Sequence, residues 1–155
     1  MSEPFDAAAG HRHFSADYFN RVWDLLAKED RSAEDDQRML SMCHASIAHW
    51  RDRDDCGAQQ LSIGYWQLSR VYAVLGKAMP ARGYGELCLE ASDGLAPFYI
   101  GFAYEALARA EEVAGDLDAC ALQLGRARAQ LGEIDDEQER QMLAADLDSL
   151  GRTSP

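Results

Sequence analysis

The chain has 155 residues, of which 47% are hydrophobic and 27% are charged, and its 27 acidic residues outnumber its 15 basic residues to leave a net charge of −12. This length and balance are typical of one folded domain rather than a disordered chain. The negative charge opposes binding to phosphate backbones and to anionic lipid, so we expect neither nucleic acid nor membrane as a partner. We find no secretory signal and no apolar stretch of about 18 residues, which favours a cytoplasmic location.

The four cysteines are widely spaced and form no CxxC pair, so the sequence suggests no redox or zinc motif. Cys43, Cys88 and Cys120 fall on predicted helices and are interpreted as small core residues. Cys56 lies in a polar loop, where we expect the most exposed thiol.

Apolar residues recur at helical spacing along the whole chain, and no segment alternates in the manner of a strand. The pattern predicts seven helices, over residues 16–28, 32–51, 58–75, 80–91, 97–114, 116–131 and 136–150. Ser32 is expected to cap the second helix, Gly76 to end the third in the left-handed conformation, and Gly115 to end the fifth. Residues 14–150 then form one domain of antiparallel helices, between a disordered tail (1–13) and a short C-terminal tail (151–155).

An internal repeat is the strongest signal in the chain. A shift of 39 residues places the third and fourth helices on the fifth and sixth. The matched positions share their residue type or size, and they are Tyr65 with Tyr104, Leu68 with Leu107, Arg70 with Arg109, Gly76 with Gly115, and Ala81 with Cys120. A fixed period of this kind predicts stacked helical hairpins.

The repeat resembles the tetratricopeptide (TPR) motif, with Tyr65-Leu68-Tyr72-Gly76-Ala81 in one unit and Tyr104-Leu107-Gly115-Ala127 in the next. It departs from that motif at Ser69 and Ala108, which replace a glycine, at Glu111, which replaces an aromatic residue, and in a period longer than about 34 residues. The resemblance implies an all-α, right-handed superhelix in which the first two helices are a degenerate unit and the seventh is a cap.

Longer segments are similar to those of a group of small bacterial helical-repeat proteins. These segments are Asn20–Arg31, Cys43–Trp50, Trp66–Lys77 and Phe102–Asp116. The similarity implies a helical-repeat fold and a bacterial origin, and it implies no activity.

In a TPR-like stack the first helix of each pair lines the concave face, which is where ligands dock. The residues that this places along the groove are Trp66, Arg70, Phe102, Glu105, Arg109 and Glu112. The repeated arginines suggest a clamp for a carboxylate or phosphate. The alternative is a structural ion network, because Glu105 and Glu112 lie within one helical turn of Arg109. Both interpretations remain open from the sequence.

His44 and His49 on the second helix are also candidate groove residues. Their spacing of five positions turns them about 140° apart on a helix, so they do not form a pair of metal ligands. His11 and His13 add no metal motif, and the chain contains no HExxH, GxSxG or glycine-rich phosphate loop. We therefore expect no catalytic residues, no cofactor and no metal.

The function favoured by the sequence is a non-enzymatic binding module that holds a peptide or a small acidic molecule in the concave groove. One alternative is a self-assembling homo-oligomer, and another is an enzyme that uses His44 or His49 as a base. Residues 133–148 contain seven acidic residues against one basic residue, Arg140. This segment is either a solvated helix face or a docking patch for a basic partner.

Overall fold

The computed structural model describes residues 5–151, which form seven α-helices and no β-strand. The helices are α1 (Ala7–Leu26), α2 (Ala33–Arg51), α3 (Ala58–Val74), α4 (Ala78–Ala91), α5 (Pro97–Ala114), α6 (Leu117–Leu131) and α7 (Glu137–Asp148). The all-α prediction is confirmed. Among the residues described, no helix combines the length and the apolar character that crossing a membrane requires.

The largest difference from the predicted elements is at the start of α1, which begins at Ala7 rather than near residue 16. The Asp6 carboxylate caps it by accepting a hydrogen bond from the Ala9 amide at 2.9 Å. Residues 7–13, predicted to belong to a disordered tail, are therefore helical. This segment also contacts α2, since the ring of His11 lies 5.1 Å from that of His49. The rest of both predicted tails, residues 1–4 and 152–155, lies outside the described residues.

Helix ends elsewhere follow the local signals in the sequence. Ser32 and Asp35 form a reciprocal capping box at the start of α2, with hydrogen bonds of 3.1 Å in both directions. Gly76, as predicted, has a φ value of +71°, and Gly115, which ends α5, has one of +78°. This left-handed conformation costs glycine little because glycine has no Cβ.

Consecutive helices form antiparallel hairpins that pack against one another. A hydrogen bond joins the two helices in each of the first two hairpins: Ser46 Oγ donates to the Ser15 carbonyl at 2.7 Å, and Ser69 Oγ donates to the Ala81 carbonyl at 2.8 Å. The main core lies between α1, α2, α3 and α4 and includes Ala103 of α5; its fully buried residues include Val22, Met39, Leu68 and Val71. A second cluster, centred on Ala127, Leu143 and Leu147, joins α5, α6 and α7.

The odd-numbered helices meet one another directly and so position the candidate site. α3 packs on α5 and α5 packs on α7, while α1 approaches α3 through the rings of Trp23 and Trp66. The contact between α5 and α7 is close because Gly101 has no side chain, and a Cβ there would lie 2.5 Å from Leu143 Cδ2. One side of the molecule is therefore built from α1, α3, α5 and α7.

Candidate functional site

A groove of about 530 Å³ lies between α1, α3, α5 and α7. We call it the aromatic groove because most of its wall consists of the rings of Phe19, Trp23, Trp66, Phe98, Tyr99 and Phe102. Ile63 and Met142 add apolar surface, and the polar side chains at the wall are those of Ser62 and Asp146. The volume falls within the range of about 300–1,000 Å³ that is common for ligand pockets.

Trp66 on α3 stands at the centre of this wall. Its ring lies 5.4 Å from that of Trp23 on α1 and 5.4 Å from that of Phe102 on α5, where the two rings meet edge to face. Phe98 and Phe102, one helical turn apart, form a second edge-to-face pair at 4.9 Å. These centroid separations are typical of favourable aromatic contacts. The rings therefore form one continuous surface across three helices.

A buried carboxylate holds Trp66 in place. Glu105 is 0% exposed, and its Oε2 accepts a 2.9 Å hydrogen bond from the Trp66 indole N–H. Its Oε1 accepts hydrogen bonds from Arg70 Nη2 at 3.0 Å and from Arg109 Nε at 2.8 Å. A carboxylate so deeply buried is tolerated because two guanidinium groups and an indole satisfy it.

The network extends to α7. Arg70 Nη2 also donates to Asp146 Oδ2 at 3.0 Å, and Arg109 Nη2 donates to Ser149 Oγ at 2.9 Å. We call the set Arg70, Glu105, Arg109 and Asp146 the ion network. Its two positive and two negative charges balance. One donor in it, Arg70 Nε, is buried without an acceptor among residues 5–151.

Asp146 belongs to both the ion network and the aromatic groove. Burial raises the pKa of its carboxyl group, and Arg70 opposes that shift without cancelling it. Within the described part of the chain, Oδ1 makes no side-chain hydrogen bond, whereas Oδ2 is used by Arg70. Its side chain is 31% exposed, so an acceptor remains available at the groove.

The residues expected at the groove divide into two groups. Trp66 and Phe102 line it, and Arg70, Glu105 and Arg109 form the ion network beside it. Glu112 lies elsewhere, since its Oε1 accepts a 2.8 Å hydrogen bond from the Gly151 amide at the end of the chain's described part. The sequence left open whether the two arginines form an anion clamp or an ion network. In the structure they form an ion network, in which Arg70 and Arg109 both contact Glu105.

The two histidines of α2 lie away from the groove. His44 Nε2 is 2.9 Å from the Tyr72 hydroxyl, and burial lowers the pKa of His44. His49 Nδ1 is 2.9 Å from Nδ1 of His11 on α1. Across residues 5–151, no group of three or more His, Cys, Asp or Glu side chains is arranged to hold a metal ion.

Several groove residues were not predicted as site residues. Phe19 and Trp23 are four positions apart, as are Phe98 and Phe102. This spacing places each pair on one face of its helix, but it does not distinguish a groove from a buried core. Met142 and Asp146 share the same spacing on α7. Asp146 has no sequence signal that links it to Arg70, since 76 positions separate them.

Comparison with known proteins assigns no family and no function to the chain. The chain matches no protein-family model, and neither a curated protein nor a solved structure matches it. What can be said of its function therefore follows from the aromatic groove and the ion network.

Proposed function

We propose that the chain is a non-enzymatic binding module whose aromatic groove holds an apolar segment of a peptide or partner protein. The observation that carries this proposal is the groove itself, in which six aromatic side chains surround about 530 Å³ of unfilled space. Met142 at its edge is 52% exposed. Exposed, contiguous apolar surface of this kind marks interaction sites in water-exposed proteins.

We infer a TPR-like stack for the fold. Three antiparallel hairpins followed by a single helix, with direct packing of α3 on α5 and of α5 on α7, support this inference. The groove then lies on the face formed by the first helix of each pair. That face is the one on which a stack of this type presents its ligand site.

The ion network favours an apolar occupant over a small acidic molecule. Arg70 and Arg109 each contact Glu105 at 3.0 Å or less, so their charge is already neutralised within the protein. An anion would have to compete with a carboxylate that is held in place by burial. Apolar groups meet no such competition at the aromatic rings.

The groove chemistry also supports a module without catalytic activity. The Ser62 hydroxyl at its wall is 2.8 Å from the Ser92 hydroxyl, and no histidine is among the groove-lining residues described. A serine hydroxyl is a weak nucleophile unless a base lies within hydrogen-bonding distance. Among residues 5–151, Asp146 is the one carboxylate that lines the wall, and Arg70 already occupies one of its oxygens.

Binding of Nile red, a neutral apolar dye that fluoresces in apolar surroundings, tests the proposal. We expect the native chain to enhance the fluorescence and Met142→Glu to reduce the dye affinity by about tenfold, since a charge at the groove opposes apolar binding. Leu122→Glu is the matched control, because Leu122 is 55% exposed on α6 and does not line the groove. Equal dye binding by both variants and the native chain would place the apolar site elsewhere.

Self-association is a second candidate, favoured by a separate apolar surface. Where the α3–α4 and α5–α6 hairpins turn, Met79 is 80% exposed and Leu117 is 66% exposed. If this surface joins two copies, sedimentation shows a concentration-dependent mass that Met79→Glu abolishes. If two copies instead meet through the aromatic groove, Met142→Glu abolishes it.

A further inference from the structure

We propose that the segment held in the aromatic groove is basic: an amphipathic peptide of a partner protein that places apolar side chains among the rings and a lysine or arginine against Asp146 and Glu139. This inference rests on the function proposed above and adds the chemistry of the partner to it. Helix α7 forms one edge of the groove.

Glu139, Met142 and Asp146 are spaced three and four positions apart, so they lie along one face of α7. Met142 and Asp146 line the groove. Glu139 lies about one helical turn before Met142 on this face; burial raises the pKa of the Tyr99 hydroxyl in the groove wall, and the charge of Glu139 raises it further. The apolar contact offered by Met142 is therefore flanked by a carboxylate on each side.

These two carboxylates retain acceptors for a partner. In the described part of the chain, the Glu139 side chain forms no ion pair and no hydrogen bond, and Asp146 uses Oδ2 alone. No lysine or arginine is among the groove-lining residues described. The Arg70 side chain, which contacts Asp146, is 15% exposed and also pairs with Glu105. The complement of this edge is a cation on the occupant.

The rings favour the same occupant. An ammonium or guanidinium group is attracted to the face of an aromatic ring within about 6 Å of its centroid, and Arg70 already lies 5.0 Å from the Trp66 centroid. The stem of a lysine or arginine is apolar and packs on rings while the charged end reaches a carboxylate. A basic side chain therefore suits both the wall and the edge of the groove.

The wider surface points to a peptide rather than a small amine. Exposed carboxylates continue along α7 and the loop before it, at Asp135, Asp136, Glu137 and Asp148, and the whole chain carries −12. A partner with several basic residues is steered to such a surface. The groove lies between four helices and its lining is mostly apolar, which suits the apolar face of an amphipathic segment.

The test uses two blocked peptides of about 18 residues, long enough for about five helical turns. One is an amphipathic helix of leucine and lysine, and the other has glutamate in place of every lysine. Binding is followed by tryptophan fluorescence, since Trp23 and Trp66 line the groove, and by calorimetry. We expect the lysine peptide to bind the native chain at least about tenfold more tightly, and Asp146→Asn and Glu139→Gln each to weaken it by about three- to tenfold.

Asp148→Asn is the matched control, because it removes the same charge from the same helix at an exposed residue outside the groove lining. Circular dichroism and urea unfolding establish that each variant is folded. If Asp148→Asn weakens the lysine peptide as much as Asp146→Asn and Glu139→Gln do, the peptide binds the general acidic surface and the inference is wrong.

The remaining outcomes separate the inference from the proposed function. Equal binding of both peptides, lost in Met142→Glu, would overturn the basic partner and leave an apolar groove. Binding of Nile red without binding of either peptide would also overturn the inference and leave a site for small apolar molecules. Failure of the native chain to bind either peptide or the dye would overturn both proposals.

Discussion

Trp66 and Glu105 occupy equivalent positions of the 39-residue repeat, and they are hydrogen-bonded to each other across the interface of α3 and α5 at 2.9 Å. The repeat therefore places an indole on one helix and its acceptor on the next. Arg70 and Arg109, which are also equivalent, both contact the same carboxylate. The two units therefore differ at the positions that make this polar contact, and the difference lets one unit bind the other.

Glu105→Gln should lower the free energy of unfolding by about 3–5 kcal/mol, because it leaves two arginines beside a buried neutral amide. Glu105 is 0% exposed, and the side chains of Arg70 and Arg109 are largely buried, with 15% and 16% exposed. Urea unfolding followed by circular dichroism measures the change. Glu112→Gln, which removes a carboxylate outside the ion network, should cost less than about 1 kcal/mol. Similar losses for the two variants would contradict a special role for Glu105.

Gly101→Ala should destabilise the protein by about 1–3 kcal/mol through overpacking, because the new Cβ would lie 2.5 Å from Leu143 Cδ2 and 3.3 Å from Gln130 Cβ. Gly125→Ala on α6 is the control, since a Cβ there has no neighbour within 4 Å. That change should stabilise the protein by about 0.5–1 kcal/mol, because alanine is the better helix former. Thermal unfolding of both variants decides whether the two effects have opposite signs.

The stability of the protein should depend on the ionisation of His44. Burial lowers its pKa below the usual value of 6.5, so the unfolded chain binds a proton more readily than the folded chain does. Stability from the neutral imidazole is present above pH 6.5 and is lost as the pH falls toward the lower folded pKa.

Unfolding at a series of pH values tests this dependence on His44. Between about pH 7.5 and pH 5.5 the native chain should lose more stability than His44→Gln does, since that range includes the unfolded pKa of histidine. His13→Gln, which changes an exposed histidine of α1, should follow the native profile. A native profile parallel to that of His44→Gln would rule out the contribution.

The thiols should differ in reactivity. Burial raises the pKa of Cys43 and of Cys88 to about 12, and Cys120 is 4% exposed. Cys56 is half-buried in the loop before α3, so a thiol reagent such as Ellman's reagent should modify it first in the folded chain. Cys56→Ser should remove this early phase, and urea should expose the other three thiols together. An early phase that persists in Cys56→Ser would contradict the assignment.

Much of the secondary structure could be predicted because its causes are local. The apolar spacing identified seven helices, and Ser32, Gly76, Pro97 and Gly115 marked ends that the structure places where expected. The start of α1 was missed because residues 7–13 have no apolar stripe, and their contact with α2, between the rings of His11 and His49, is not visible in the sequence.

The candidate site was also predicted only in part. The repeat pointed to Trp66, Arg70, Glu105 and Arg109 as residues on one side of the stack, and the structure brings these four together. The repeat could not show that Glu105 is completely buried, nor that His44, His49 and Glu112 lie away from the groove. Helical periodicity shows which face of a helix a residue is on, but not which other helix packs against that face.

By itself, the sequence determined the seven helices, most of their ends and the 39-residue period, since each depends on backbone preferences within a few residues or on similarity along the chain. Tertiary structure alone decided that α7 brings Met142 and Asp146 to the aromatic groove and that Asp146 meets Arg70, 76 positions away. Those contacts depend on how rigid helices pack, and packing is set by the shapes of side chains on elements far apart in the chain.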